Sequence, residues 1–150
     1  MSFFEKLRKA VRPSDERLPR AMLTPCVSAI MADGDMQAEE ISQLSNLCSF
    51  SPIFHHIHPE RLAEIVRELI AEIMEEGGDA KLQAAAADLP PSLRETAYCF
   101  VARIVMADGM VGEREKMALE KIAAVMKLEP NVTILIEDVV KMMQRQAVEA

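Results

Sequence analysis

Apolar residues recur at intervals of three and four along most of this chain, and residues 60–76 show that spacing most clearly. The apolar positions there are Leu62, Ile65, Val66, Leu69, Ile70, Ile73 and Met74. This spacing places all of them on one face of an α-helix. Pro59 suits the first turn, and Gly77-Gly78 suits the end. A chain built of such segments must bury one stripe of each helix against other helices.

The same spacing predicts further helices on both sides of this segment. They cover residues 20–32, 38–48, 79–89, 92–107 and 113–127. A last helix is predicted from Pro130, with Leu135, Ile136, Val139, Val140 and Met143 on one side. Ser92 and Glu95 are predicted to form a capping box. Only 4% of the residues are aromatic, so aliphatic side chains and Met must build the core. The fold class predicted is all-α, a compact bundle of about seven to eight helices.

The first residues differ from the rest. Residues 2–11 form a short amphipathic segment, and Pro13-Ser14-Asp15 is predicted to break the chain after it. We therefore divide the chain into an N-terminal segment, residues 1–19, and a helical domain, residues 20–150. No apolar run is long enough to span a bilayer, and no secretory signal is visible, so a cytoplasmic location is expected. Residues 2–12 are predicted to make at most a peripheral membrane contact.

A tetrapeptide occurs twice in this chain. Met31-Ala32-Asp33-Gly34 recurs 75 residues later as Met106-Ala107-Asp108-Gly109. The match continues downstream, where Glu40 aligns with Glu115 and Leu44 with Leu119. Each copy lies between two apolar helices. The sequence therefore predicts an internal repeat of two helical hairpins around the helix 60–76, related by a pseudo-twofold axis.

Two interpretations of the repeated break stay open. In one, the break only ends and starts helices: Gly34 and Gly109 take the left-handed conformation, while Glu40 and Glu115 cap the helices that follow. In the other, the two breaks converge and form a metal site. Its candidate ligands are Asp33, Glu40, Asp108 and Glu115, with Asp35, Glu39 and Glu113 in second rank. Carboxylates at close range repel unless a cation neutralises them, and oxygen ligands favour Ca²⁺ or Mg²⁺.

The spacing of this motif only partly matches a calcium loop. Placing Asp33 at position five of an EF-hand puts Glu40 at position twelve. Positions one and three would then be Ala29 and Met31, which offer no side-chain oxygen. A true EF-hand is therefore excluded for the first copy, and the second copy fails in the same way at Ile104 and Met106.

Two copies of Ala-Asp-Gly with a downstream Glu, in an all-helical chain, resemble the tellurite-resistance TerB family. The resemblance covers roughly residues 20–145 and rests on Asp33, Gly34, Glu40 and their counterparts Asp108, Gly109 and Glu115. It also extends to the N-terminal helical domain of a DnaJ-type co-chaperone. The resemblance implies a bundle of about seven helices, a clustered acidic surface, divalent-metal binding and a link to tellurite or other stress. Met110 stands where the first copy has Asp35, so the second copy is less acidic.

Charge is unevenly distributed along the chain. Residues 1–20 hold six basic and three acidic residues, so with a total of −7 the remainder carries −10. An acidic body repels nucleic acid, so we expect no nucleic-acid partner and instead a protein partner. The oligomeric state does not follow from the sequence.

The remaining chemistry-bearing residues form no familiar catalytic pattern. His55, His56 and His58 could bind Zn²⁺ or Ni²⁺, or lie in a solvated loop. Cys26, Cys48 and Cys99 have no metal-ligand spacing and are predicted to fill the core. No catalytic motif is recognisable, so we expect a protein that is not an enzyme. Two hypotheses remain, a metal-binding stress protein and a metal-free interaction module with an acidic face.

Overall fold

The computed structural model describes residues 3–32, 34, 36–107 and 111–145, with side chains from residue 16 onward. This part of the chain contains seven α-helices, one short 3-10 turn and no strand, which confirms the all-α prediction. In chain order the elements are α1 (Phe3–Met31), α2 (Ala38–Cys48), the 3-10 turn (Pro52–Phe54), α3 (Pro59–Glu76), α4 (Gly78–Asp88), α5 (Pro91–Val105), α6 (Glu113–Val125) and α7 (Pro130–Met143).

The second half of α1 is the central helix of the bundle. Among residues 19–30, only Arg20 and Ser28 are not buried. This stretch contacts α3, α4, α5 and α6. The prediction that the helix 60–76 lies at the centre was therefore wrong. Because α3 has a charged face, it can bury only one side, whereas a helix that is apolar on all sides is stable only inside the fold.

No break separates the N-terminal segment from the domain. The predicted end of a helix at Pro13-Ser14-Asp15 was wrong, because α1 runs through these residues as one helix of 29 residues. An interior proline removes one backbone hydrogen bond and costs about 3 kcal/mol. The C-terminal part of α1 is already fixed in the core, so extending this helix through Pro13 avoids the cost of nucleating a separate helix.

Prolines and one glycine set several of the helix ends. Pro59 and Pro130 occupy the first positions of α3 and α7, where the missing N–H leaves no acceptor unsatisfied. Helix α5 likewise begins at Pro91, and Pro90 precedes it. The capping box predicted at Ser92 was therefore wrong, since Ser92 already lies inside the helix. Gly77 ends α3 with a φ of +93°, and its N–H donates to the Ile73 carbonyl at 2.9 Å.

Most of the predicted inner faces are buried, but α7 differs. In α7 only Val140 is buried, and with Ala102 and Met106 it forms a small cluster apart from the main core. Leu135, Val139 and Met143 lie on one side of the helix, as predicted, but they are exposed. Met74 of α3 is also exposed, at 71%. Helix α7 therefore rests on the bundle by a narrow contact, chiefly with α5.

Helix length and apolarity were compared with those of a membrane span. None of the helices in the described ranges is both long enough and apolar enough to cross a bilayer.

Candidate functional site

The two glutamates of the repeated motif adopt the same local arrangement. Glu40 Oε1 accepts a hydrogen bond from the Gln37 N–H at 3.0 Å, and Glu115 Oε1 accepts one from the Gly112 N–H at 3.1 Å. Each glutamate is the third residue of its helix and reaches back to the residue that precedes the helix. This is the contact that the glutamate of a capping box makes. The capping role predicted for both residues is confirmed.

The glycine of the first copy occupies a backbone conformation that other residues rarely adopt. Gly34 has a φ of +136°, and its N–H donates to the Met31 carbonyl at 3.2 Å. The chain thus leaves α1 within three residues of its last helical turn. This conformation lies in the region of positive φ that glycine enters without a steric penalty. Its counterpart Gly109 lies outside the described residues.

Several of the predicted metal ligands also lie outside the described residues, namely Asp33, Asp35 and Asp108. Within the described ranges, no group of three or more His, Cys, Asp or Glu side chains could hold a metal ion. Glu39 and Glu113 are exposed in the first turns of α2 and α6. Glu40 and Glu115 each use one carboxylate oxygen for the backbone. A complete ligand set would therefore need the three aspartates. The pseudo-twofold relation between the two Ala-Asp-Gly breaks stays a prediction.

Three glutamates between α1 and α3 are paired with arginines of the same chain. Arg61 of α3 contacts Glu16 of α1 at 2.8 Å and Glu68 at 2.7 Å, and Arg20 of α1 contacts Glu68 at 2.8 Å and Glu72 at 2.6 Å. The hydrogen bond from Arg61 lowers the pKa of Glu16, and those from Arg20 and then Arg61 lower the pKa of Glu68. These carboxylates are satisfied by arginine, so this face is an internal ion-pair network rather than an open cation site.

The last residue of the histidine-rich segment, His58, caps the start of α3. His58 precedes α3, and its Nδ1 accepts a hydrogen bond from the Glu60 N–H at 3.3 Å. His55 and His56 are exposed in the turn before it. The described residues contain no metal-binding group that includes them.

The three cysteines fall into two classes. Cys26 and Cys48 are fully buried, as predicted, and burial raises the pKa of Cys48 to about 12 and that of Cys26 well above its usual value. Cys99 is exposed on α5, so its predicted place in the core was wrong. A buried thiol with a raised pKa is a poor nucleophile, because the thiolate is the reactive form.

An apolar groove between α5 and α7 is the surface feature that the sequence reasoning missed. It measures about 390 Å³ and is lined by Leu47, Phe100, Arg103, Leu135, Val139 and Met143, among others. The signal was available in α7, where eight of fourteen residues are apolar aliphatic or Met. These apolar residues occupy more of the helix surface than contact with one neighbouring helix can bury.

We then compared the chain with known proteins. No curated protein and no solved structure matched it. A family model described as "Tellurite resistance protein TerB" matches residues 19–138, which begin with the buried stretch of α1 and end within α7. This range is close to the one over which the duplicated motif suggested the resemblance. Because the match covers most of the sequence, the chain belongs to the TerB family.

Proposed function

We propose that this protein is a non-enzymatic component of tellurite resistance and that its two Ala-Asp-Gly breaks together bind a divalent cation. The observation that supports the proposal is the repeated contact of Glu40 and Glu115 with the backbone, at 3.0 and 3.1 Å. This contact holds one carboxylate of each copy beside the loop that carries Asp33 or Asp108. The second oxygen of each glutamate is left for another ligand.

The chemistry of the donor set suits a hard cation. All of the candidate ligands are carboxylates, and oxygen donors select Ca²⁺ or Mg²⁺ over softer metals. The carboxylates of the α1–α3 network are already paired with Arg20 and Arg61, so they do not compete for the ion. A bound cation would bridge the chain segments after α1 and after α5.

Thermal melting tests the cation directly. A ligand that binds only the folded state stabilises it by about 2.7 kcal/mol at a hundredfold excess over the dissociation constant. We expect millimolar Ca²⁺ to raise the melting temperature of the native protein measured in EDTA. Asp33→Asn with Asp108→Asn should abolish this rise while leaving the far-UV circular dichroism unchanged, since Asn still supports a turn.

A second double variant separates capping from ligation. Glu40→Gln with Glu115→Gln keeps an oxygen that can accept the backbone N–H but removes two charges. We expect its stability in EDTA to match that of the native protein and its response to Ca²⁺ to be weaker. If neither Ca²⁺ nor Mg²⁺ changes the melting temperature, or if all three proteins respond equally, the motif only caps helices. The protein would then be the metal-free interaction module.

The role in tellurite resistance is tested in cells. We expect the native chain to restore tellurite tolerance to a strain that lacks its own copy, and Asp33→Asn with Asp108→Asn to fail at equal expression. Cys99→Ser should restore tolerance fully, because a non-enzymatic protein does not need its accessible thiol to reduce tellurite. Loss of tolerance in Cys99→Ser alone would indicate thiol chemistry and contradict the proposal.

A further inference from the structure

The outer side of α7 carries an apolar stripe that the rest of the described bundle does not cover. Leu135, Val139 and Met142 are spaced by four and three residues, which places them on one face of the helix. Their exposed fractions are 63%, 43% and 49%. The stripe continues into the groove against α5, where Phe100 is one of the lining residues. A continuous exposed apolar surface of this kind marks an interaction site.

Two charged side chains border this stripe on opposite sides. On the α5 side, the Arg103 guanidinium donates through Nη1 to the sulfur of Met143 at 3.7 Å, and no described carboxylate pairs with it. On the other side lies Asp138, three residues after Leu135, and no described cation pairs with it. Positions 138 and 143 are five residues apart, which is about 140° around the helix. One face therefore presents, in this order, a cation, an apolar stripe and an anion, and neither charge has an ion-pair partner among the described residues.

We propose that this face, made of α7 and the adjoining side of α5, binds the same face of a second copy of this chain to form a twofold dimer. In an isologous contact each surface meets its own copy, and with the twofold axis running along the stripe the positive border of one protomer faces the negative border of the other. Arg103 of each protomer would then pair with Asp138 of its partner, and the two apolar stripes would pack together between these pairs. The inference does not depend on the cation proposal.

The charge pattern favours a second copy over an unrelated partner. An unrelated helix could cover the apolar stripe, but it would have to supply a carboxylate for Arg103 and a cation for Asp138 at matched positions. A second copy supplies both by symmetry. Helix α7 is about 21 Å long, so two copies can align over four turns of helix. The exposed Met142 and Met143 have flexible side chains that adapt to such a contact.

Sedimentation equilibrium of the native chain tests the proposal. We expect a monomer–dimer equilibrium, with Val139→Glu monomeric at every concentration because it places a charge within the apolar contact. Met117→Glu is the matched control, since Met117 is 65% exposed on α6 and lies outside this face. It should dimerise as the native chain does. Circular dichroism confirms that both variants remain folded.

A charge exchange identifies the face and its orientation. At low ionic strength, Arg103→Asp and Asp138→Arg should each raise the dimer dissociation constant at least tenfold. Combining both changes in one chain should return it to within threefold of the native value. The thiol of Cys99, which lies at the groove, should also react more slowly with iodoacetamide as the protein concentration rises.

Three outcomes would overturn the proposal. If the native chain stays monomeric to several hundred micromolar, this face does not form a dimer and is available to another partner. A dimer that survives Val139→Glu uses another surface. A double exchange that remains as weak as its parents rules out the Arg103–Asp138 pair. None of these outcomes bears on the Ca²⁺ response, so failure here is distinguishable from failure of the cation proposal.

Discussion

Residues 19–30 of α1 and the fourteen residues of α7 are both rich in apolar side chains, but the fold uses them in opposite ways. The α1 stretch is surrounded by four other helices and is almost completely buried. Helix α7 contacts chiefly α5 and buries only Val140. Both segments carry helical spacing in the sequence. That spacing indicates that a helix has an apolar face, but it does not indicate how many neighbours the face will meet.

The two regions also differ in how they are held. Polar contacts anchor α1 at its entry to the core, where Arg20 pairs with two carboxylates of α3, Glu68 and Glu72. Helix α7 is held by the small apolar cluster of Val140, Ala102 and Met106. We therefore expect α1 to determine the stability of the domain and α7 to be available for contacts outside it.

The largest effect is expected from a matched pair of leucines. Leu23 in α1 is fully buried, whereas Leu135 in α7 is 63% exposed. Leu23→Ala should lower the free energy of unfolding by about 2–5 kcal/mol, because it leaves a cavity in the core. Leu135→Ala should change it by less than about 0.5 kcal/mol. Urea unfolding at a concentration where the chain is monomeric measures both, and equal losses would refute the contrast between the helices.

The fold could be predicted from the sequence wherever a helix has one apolar and one charged face. This holds for α3, whose bounds and buried side were predicted correctly except for Met74. It fails for α1, because a helix that is apolar on all sides has no pattern that indicates its position in the bundle. It also fails at Pro13, where local propensity predicts a break and the core contacts that fix the following residues sustain the helix.

The second prediction concerns the end of α1 compared with the equivalent loop before α6. Gly34 has a φ of +136°, so Gly34→Ala should cost about 1 kcal/mol or more. Gly112 has a φ of −74°, and an added Cβ would meet only Glu115 Oε1, at 3.5 Å. Gly112→Ala should therefore be close to neutral. Unfolding midpoints that shift equally in both variants would show that the positive φ of Gly34 does not determine the cost of the substitution.

The candidate site was predictable only in part. The glutamates at positions 40 and 115 could be assigned as caps, because the third position of a helix has one specific hydrogen-bonding use. Whether two loops 75 residues apart converge depends on how their helices pack, and spacing along the chain carries no such information. The groove beside α7 was missed for a similar reason. Its apolar residues were predicted only to share one side of the last helix, and periodicity cannot distinguish a core face from an interaction face.

The third prediction compares the charges that hold α1 with those on α7. Arg61→Met removes the contacts to Glu16, Glu64 and Glu68 and should cost about 1 kcal/mol, a modest amount because these groups are partly exposed. Lys141→Met on α7 should change stability by no more than about 0.3 kcal/mol, since it loses only the interaction with the helix dipole. Chemical denaturation at pH 7 measures both. A larger loss in Lys141→Met would contradict the anchoring role assigned to the α1–α3 network.

The same network predicts how stability depends on pH. The folded state lowers the pKa of Glu16 and of Glu68, so these carboxylates contribute stability above the pKa of an unfolded Glu, near 4.5. That contribution is lost as the pH falls through the lowered values, because the protonated carboxyl no longer attracts arginine. Arg61→Met should therefore lose less stability than the native protein between pH 6 and pH 3. If the native protein and Arg61→Met lose stability in parallel as the pH falls, the acid-sensitive groups lie outside this network.

The smallest effect on stability is expected at the cysteines. There α1 and the α7 side differ in how accessible their thiols are to a reagent in solution. Cys26 in α1 is fully buried and its thiol pKa is raised, so it should not react with an aromatic disulfide reagent while the protein is folded. Cys99 borders the groove beside α7 and should react, at a rate that increases with pH because the thiolate is the reactive form. Partial burial and then Glu95 raise its pKa, which moves this increase to higher pH. Of the three thiols, one should therefore titrate in the native protein and all three in guanidinium chloride.

Cys99→Ser should remove the native reaction and change the free energy of unfolding by less than about 0.5 kcal/mol, since the side chain is exposed. Reaction of two or more thiols at the rate of the first would mean that the core around α1 opens as readily as the surface of α7. In that case the difference in burial between the two helices would not be a difference in stability.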